Sequence, residues 1–378
     1  MTVDLAGPLD VFRRGPGHDH PRGPGAHAVF AFSELRIPLV AAPMAGGPST
    51  PELVAAVAEA GGTGFLAAGY KTPEALREQI ERLRAATRVF GVNLFVPGAP
   101  AERAEEVAAY RAELSGEAER YAVTLPGTDP SDRDRFEEKL DLLEQEPVPI
   151  VSFTFGPPPV EAVRRLHEVG THVVATVTTV EEALRAERDG ADTLTVQGSD
   201  AGGHRATFDV DTPDDGVNTL DLLGRVRAAT DLPLVAAGGI TEGPGIAEAL
   251  RAGAVAVQLG TAYLRCPESG ASQPHKDALA DPRFTETRVT RAFSGRNARG
   301  LRNRFIDEHD ATAPAAYPEV NQLTKPLRTA AAGQADQEGL ALWAGTGYRA
   351  ASAEPAARIT ARLWEEAGSP VPGEFTRN

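Results

Sequence analysis

One cysteine, Cys266, stands in 378 residues. An internal disulfide and any multi-cysteine zinc or iron–sulfur site are therefore excluded, and a reducing, cytoplasmic setting is expected. Aromatic residues make up only 6% of the chain, and no apolar run approaches the length needed to cross a bilayer. Met1 to Pro24 has no apolar stretch of the kind a signal peptide needs. Basic residues are the minority sign, 38 against 53 acidic, for a net charge of −15 that opposes a phosphate backbone, so neither nucleic acid nor membrane is expected as a partner. No second histidine or cysteine lies at ligand spacing from His204, so no metal site is read. What is abundant is glycine, 38 residues, much of it paired directly after short apolar runs.

Residues 1–33 are rich in Gly, Pro, His and Arg without periodicity and read as a flexible tail. From Ile37 a rhythm begins: a short apolar run, then Gly or Pro, then a stretch with helical spacing. The runs are Ile37–Pro43, Gly64–Ala68, Val89–Phe95, Pro149–Phe155, His172–Val177, Thr193–Gln197, Pro233–Ala237 and Ala254–Leu259. They lack alternation, as parallel strands buried on both faces do. Helix candidates between them start at Thr50-Pro51 and Thr72-Pro73, an N-cap followed by proline. Gly61, Gly170, Gly190 and Gly253 stand at C-cap positions. Eight such units predict an α/β fold, a (β/α)8 TIM barrel over 34–97 and 148–284. Residues 98–147 read as a charged helical insertion, and 285–378 as loops and helices covering the barrel mouth, closed by an amphipathic segment from Glu354 to Ala367.

In such a barrel the chemistry sits on loops after strand C-termini. The sixth run is followed by Ser199-Asp200-Ala201-Gly202-Gly203-His204, and His204 is the acid–base candidate because imidazole titrates near neutrality. The seventh and eighth runs end in Gly238-Gly239-Ile240 and Gly260-Thr261, positions where backbone N–H groups bind phosphate. The first ends in Pro43-Met44, and the third places Asn93 inside an apolar run, where its amide needs partners.

Taken in order, Pro43-Met44-Ala45-Gly46-Gly47, Ala60-Gly61-Gly62-Thr63-Gly64-Phe65, Asn93-Leu94-Phe95, Gln197-Gly198 with Ala201-Gly202-Gly203-His204, Ala236-Ala237-Gly238-Gly239-Ile240, Gln258-Leu259-Gly260-Thr261 and Thr290-Arg291-Ala292-Phe293-Ser294-Gly295-Arg296 resemble the nitronate monooxygenases, formerly 2-nitropropane dioxygenases, over residues 36–350. The resemblance implies non-covalent FMN and oxidation of alkyl nitronates or nitroalkanes by O2 to an oxo compound and nitrite. By position, Pro43, Met44 and Asn93 would lie against the isoalloxazine and Gln197 would hydrogen-bond it. Gly202, Gly203, Gly238, Gly239, Gly260 and Thr261 would hold the ribityl phosphate, and His204 would be the catalytic base. Tyr317 and Lys325, with Asn321 between them at helical spacing, would reach the substrate pocket. Two departures from the family pattern, Asp200 for Glu and Ala206 for Gly, bear on the substrate pocket more than on the cofactor. Arg291, Arg296 and Arg299 read as a basic loop paired with surface carboxylates, with anion binding as the other reading. The alternatives are a flavin-dependent enoyl-acyl-carrier reductase using NAD(P)H and a flavin-binding relative without turnover. A homodimer is compatible with all three.

Overall fold

Runs that are apolar at every position become strands only where both faces are covered. In the computed structural model, which describes residues 30–98 and 102–369, they are. The strands are β1 (Leu39–Ala41), β2 (Thr63–Ala67), β3 (Gly91–Phe95), β4 (Ile150–Thr154), β5 (His172–Val177), β6 (Thr193–Gln197), β7 (Gly203–His204), β8 (Leu234–Ala237) and β9 (Ala256–Leu259). All except β7 pair in parallel as a closed barrel in the order β1-β2-β3-β4-β5-β6-β8-β9, and β9 returns to β1 with Val40 opposite Gln258. The eight apolar runs are the eight barrel strands, and the (β/α)8 class holds. Val40, Phe65, Ile150, Val174, Val235 and Ala256 pack into one cluster with Phe32 and Leu35. Their sequence neighbours pack outward against helices. Of the expected tail, residues 1–29 lie outside the described residues.

The helices are α1 (Pro51–Ala60), α2 (Pro73–Arg84), α3 (Ala104–Glu113), α4 (Ser115–Arg120), α5 (Phe136–Gln145), α6 (Val160–Glu168), α7 (Val180–Arg188), α8 (Thr219–Arg227), α9 (Gly243–Arg251), α10 (Gln273–Ala278), α11 (Arg304–His309), α12 (Glu319–Gly333) and α13 (Ala356–Glu366). Thr50 and Thr72 cap α1 and α2 by accepting from Leu53 N and Ala75 N, with proline in the first turn as expected. Gly61 and Gly253 turn the chain left-handed after α1 and α9, at φ +108° and +98°.

The structure differs from the sequence reading in two places. First, 98–147 is not insertion throughout. Phe136, Leu140 and Leu143 of α5 pack with Phe90, Val92, Phe153 and Leu166, so α5 occupies the barrel-helix position between β3 and β4. Second, 285–378 is not only loops and helices. It contains β10 (Thr287–Thr290) and β11 (Ala298–Leu301), an antiparallel pair whose second strand also pairs with β7. Register places Ala298 opposite His204 and Arg299 opposite Gly203. The C-terminal segment is thus hydrogen-bonded into the loop after β6.

α13 packs on both α1 and α9, where the barrel's first and last helices meet. Its apolar stripe of Ala356, Ile359 and Leu363 is fully buried there, and Gly243 lets α9 come so near that an added Cβ would lie 2.3 Å from the Glu366 Cβ. Replacing Ile359 by Ala should lower the unfolding free energy by about 3 kcal/mol. Urea denaturation checks this, and a loss under about 1 kcal/mol would mean α13 is dispensable to the barrel.

Candidate active site

The strand C-termini open into a cavity of about 810 Å³. That volume lies in the range that encloses a small molecule or cofactor. Of the site residues expected from the sequence, Pro43, Met44, Asn93, Gln197, Gly202, Gly203, His204, Gly238, Gly239, Gly260, Thr261 and Lys325 all line it. Tyr317 does not. It stands one layer back, its ring 5.5 Å from Phe155 and 6.3 Å from His204, and its hydroxyl donates to Tyr70 Oη at 3.1 Å.

The polar side chains are held largely by the protein. Asn93 is buried and its Nδ2 donates to Ser152 Oγ and Thr154 Oγ1, both at 2.9 Å, so β4 satisfies the amide nitrogen and leaves Oδ1 without a donor among the described residues. Gln197 works on the loop that follows it: Nε2 donates to His204 O at 3.0 Å and Oε1 accepts from Ala206 N at 2.9 Å. One amide thereby clamps the backbone on both sides of Arg205. Asp200 turns away from the cavity and accepts from Thr219 N and Thr219 Oγ1 at 3.1 and 2.6 Å, tying the β6 loop to the start of α8.

His204 sits in an aromatic wall. Phe155 lies 5.6 Å and Trp343 5.5 Å from its ring, centroid to centroid. Its Nε2 lies 2.9 Å from Ser294 Oγ. The ring is part-exposed, toward the cavity it lines. Burial, then the positive charges of Arg296 and Arg328, push its pKa down to about 3, so the imidazole is neutral at physiological pH.

The arginines depart furthest from the sequence reading. No carboxylate among the described residues forms a salt bridge with the guanidinium of Arg291, Arg296, Arg299 or Arg328. Arg296 is 4% exposed, lies over the Phe155 ring at 4.2 Å and donates to Thr207 O at 2.9 Å. Arg299 donates to Ser199 O at 2.8 Å. Arg291 reaches Val210 O. These residues fold inward onto carbonyl groups rather than outward onto surface acids. Arg328 on α12 donates to the side chain and backbone of Asn321, which therefore lines the cavity as its partner, and the buried Nε of both Arg296 and Arg328 has no acceptor among the described residues.

Sequence reasoning missed several lining residues. Arg328 and Trp343 had no motif around them; Gly345 and Gly347 had one, since Gly-Thr-Gly at 345–347 repeats the glycine usage of the strand ends. Gly345 N donates to Thr261 Oγ1 at 3.0 Å, joining the C-terminal segment to the loop after β9. Lys71, also on the cavity wall, has its pKa pulled down to about 8 by burial and by Lys139. His275 lines the cavity too, but its Nε2 is taken by Trp343 O at 3.0 Å.

The depressed pKa of His204 has a consequence for stability. Below pH about 6.5 the unfolded chain protonates this histidine while the folded chain does not, so folding stability falls as pH drops through that window. His204→Asn should therefore lose less stability than the parent between pH 7 and pH 5, read from urea midpoints. An equal loss in both would place the imidazole in contact with bulk solvent.

The model of the nitronate monooxygenase family matches residues 29–366. Probable nitronate monooxygenases of Staphylococcus aureus strains MSSA476 and MRSA252 are each 36% identical over 334 residues, 87% of this chain and 94% of theirs. Among solved structures, nitroalkane oxidase from Streptomyces ansochromogenes is 50% identical at a TM-score of 0.86, covering 89% of this chain and 97% of that one. FabK from Thermotoga maritima is 27% identical at a TM-score of 0.70, covering 89% of this chain and 94% of its own. A closed parallel barrel, a neutral histidine on its C-terminal mouth and a match across nearly all the described residues agree: the chain belongs to the nitronate monooxygenase family of oxidoreductases.

Proposed function

We propose that the protein binds FMN and oxidises alkyl nitronates, or nitroalkanes after loss of their α-proton, with O2 to an oxo compound and nitrite. The observation that carries this reading is the juxtaposition of a neutral imidazole with two cations that have no carboxylate partner among the described residues. A buried positive charge is costly unless an anion or hydrogen-bond acceptors compensate it. Carbonyl groups satisfy part of each guanidinium, and the Nε of each remains unpartnered. A nitronate is a small planar anion of the kind such a wall favours. Burial and the two cations keep His204 in its unprotonated, proton-accepting form, and the same cations would stabilise the nitronate once it forms.

The cavity also suits FMN. Gly203 has φ +75° and an added Cβ there would meet nothing within 4 Å, which leaves the backbone open to a ligand. No acceptor is found among the described residues for the N–H groups of Gly239, Gly260 and Thr261, which would be free to donate to the FMN phosphate. Pro43 and Met44 supply an apolar wall and Asn93 Oδ1 a free acceptor for a ring N–H. When bound, FMN would supply the two-electron oxidation and the reaction with O2. The chain's own part is to bind and orient the anion, accept the α-proton at His204, and exclude water through Phe155, Trp343 and Tyr317.

Purified protein should be yellow and release FMN on denaturation, and with ethylnitronate it should consume O2 and form nitrite without NAD(P)H. Oxidation of NAD(P)H driven by an enoyl thioester, with no nitrite from nitronate, would overturn the reading in favour of a reductase. His204→Asn should keep FMN while turnover of nitroethane falls by at least about 10²-fold; retained turnover would remove His204 from the proton transfer.

A further inference from the structure

The ring nitrogen that takes the proton is set by the bond the other one makes. His204 Nε2 has one protein partner, Ser294 Oγ, at 2.9 Å, and no partner is found for Nδ1 among the described residues. Nδ1 is also not among the enclosed polar atoms that lack a bond, so it keeps access to the cavity. Ser294 is 1% exposed and lies on the turn between β10 and β11. Its hydroxyl has a single proton and two candidate acceptors, His204 Nε2 and the backbone carbonyl of Arg296, 3.3 Å away. Arg296 is itself buried, and no other donor to its carbonyl is found among the described residues. A buried carbonyl left unpaired costs more than one that is paired. The hydroxyl proton therefore goes to Arg296 O. Ser294 Oγ then accepts from two donors, Arg296 N at 3.3 Å and His204 Nε2–H.

We propose that Ser294 is a positioning residue that fixes the tautomer of His204, holding the proton on Nε2 and presenting the Nδ1 lone pair to the cavity. The inference rests on the proton-abstraction reading of the site and adds which nitrogen acts and what selects it. In the step itself the carbon–hydrogen bond α to the nitro group breaks, the proton moves to Nδ1, and the electron pair stays on the nitronate. The imidazolium so formed donates from Nε2 to Ser294 Oγ. The charged or titratable groups around this ring are Arg296 on the same turn, Arg328 on α12, and the Tyr70–Tyr317 hydroxyl pair; none offers Nε2 an alternative acceptor. A substrate already ionised as a nitronate needs no base. Loss of the tautomer should therefore separate the two substrates.

The test uses the FMN-loaded full chain. With ¹⁵N-labelled histidine, assigned against His204→Asn, the ring should show Nε2 protonated and Nδ1 bare, and Ser294→Ala should mix the two tautomers. In the same variant, kcat/KM for nitroethane should fall by about 10- to 100-fold, within the range of a lost general base. Ethylnitronate oxidation should stay within about 3-fold, and Ser294→Thr, which retains a hydroxyl, should restore most of the nitroethane rate. A parent enzyme protonated at Nδ1, equal losses on both substrates, or no loss on either would overturn the proposal. Should Ser294→Ala not fold, the parent tautomer alone decides. Should the parent oxidise neither substrate, the functional reading fails while the ¹⁵N measurement still tests the Ser294 contact.

Discussion

Two residues of strand, Gly203 and His204, tie the catalytic candidate to the fold. A loop with glycines beside the histidine has no conformation of its own to hold an imidazole in place, because glycine loses more freedom on ordering than any other residue. Here the loop is fixed from three directions. β11 pairs along it with Ala298 opposite His204, Arg205 N extends that ladder to Asn297 O at 2.7 Å, and the Gln197 amide holds the chain on either side of Arg205. The third contact is steric. An added Cβ at Gly202 would lie 2.3 Å from Gly345 N, so the C-terminal segment and the β6 loop meet backbone to backbone. The segment after the barrel is accordingly part of the site, supplying Ser294, Arg296, Arg328 and Trp343.

Charge is distributed by position rather than by total. The chain carries a net −15, yet the charges that act on the imidazole are those of two guanidinium ions, Arg296 and Arg328. Two acids near the cavity are committed to other partners, Asp200 to Thr219 and Asp134 to the buried Lys139 at 2.7 Å, while Asp132, also on the wall, accepts from Gln322 Nε2 at 3.2 Å. Cation–π contact with Phe155 and bonds to carbonyl groups offset part of the desolvation of Arg296 without supplying a negative charge. Arg296 and Arg328 thus lack a carboxylate partner among the described residues, which is the feature the proposed anionic substrate would answer. The outer acidity neither helps nor hinders this, because exposed charges beyond about 10 Å are screened at ordinary salt.

The barrel was legible because its signals are local and redundant. Eight apolar runs, Thr-Pro caps and terminal glycines all mark the same boundaries. The β10–β11 hairpin was not legible, and its residues explain why. Thr287-Arg288-Val289-Thr290 and Ala298-Arg299-Gly300-Leu301 are four residues each, too short for alternation to register, and each carries an arginine. β7 is shorter still and exists only through its partner. α5 was legible in part: Phe136, Leu140 and Leu143 recur at helical spacing, but the acidic residues between them made the stretch look solvated. Arginine roles were the hardest to read, because a guanidinium satisfied by carbonyl groups leaves no mark on the sequence around it.

The strand-end glycines divide by what surrounds them. Gly238 and Gly239 have φ of +125° and +65°, and an added Cβ would come within 2.6 Å of Thr219 Oγ1 and 2.5 Å of Asp200 Oδ2. Gly198 is confined by the same carboxylate, its added Cβ 2.4 Å from Asp200 Oδ1. These three glycines are required by the packing of the Asp200–Thr219 pair, whether or not a phosphate is near. Gly203, with open space beside it, is free of that requirement. The departure from the family pattern at Asp200 therefore bears on the loops after β6 and β8, where phosphate binding is proposed, and not on the proposed substrate wall of Phe155, His204, Arg328 and Trp343.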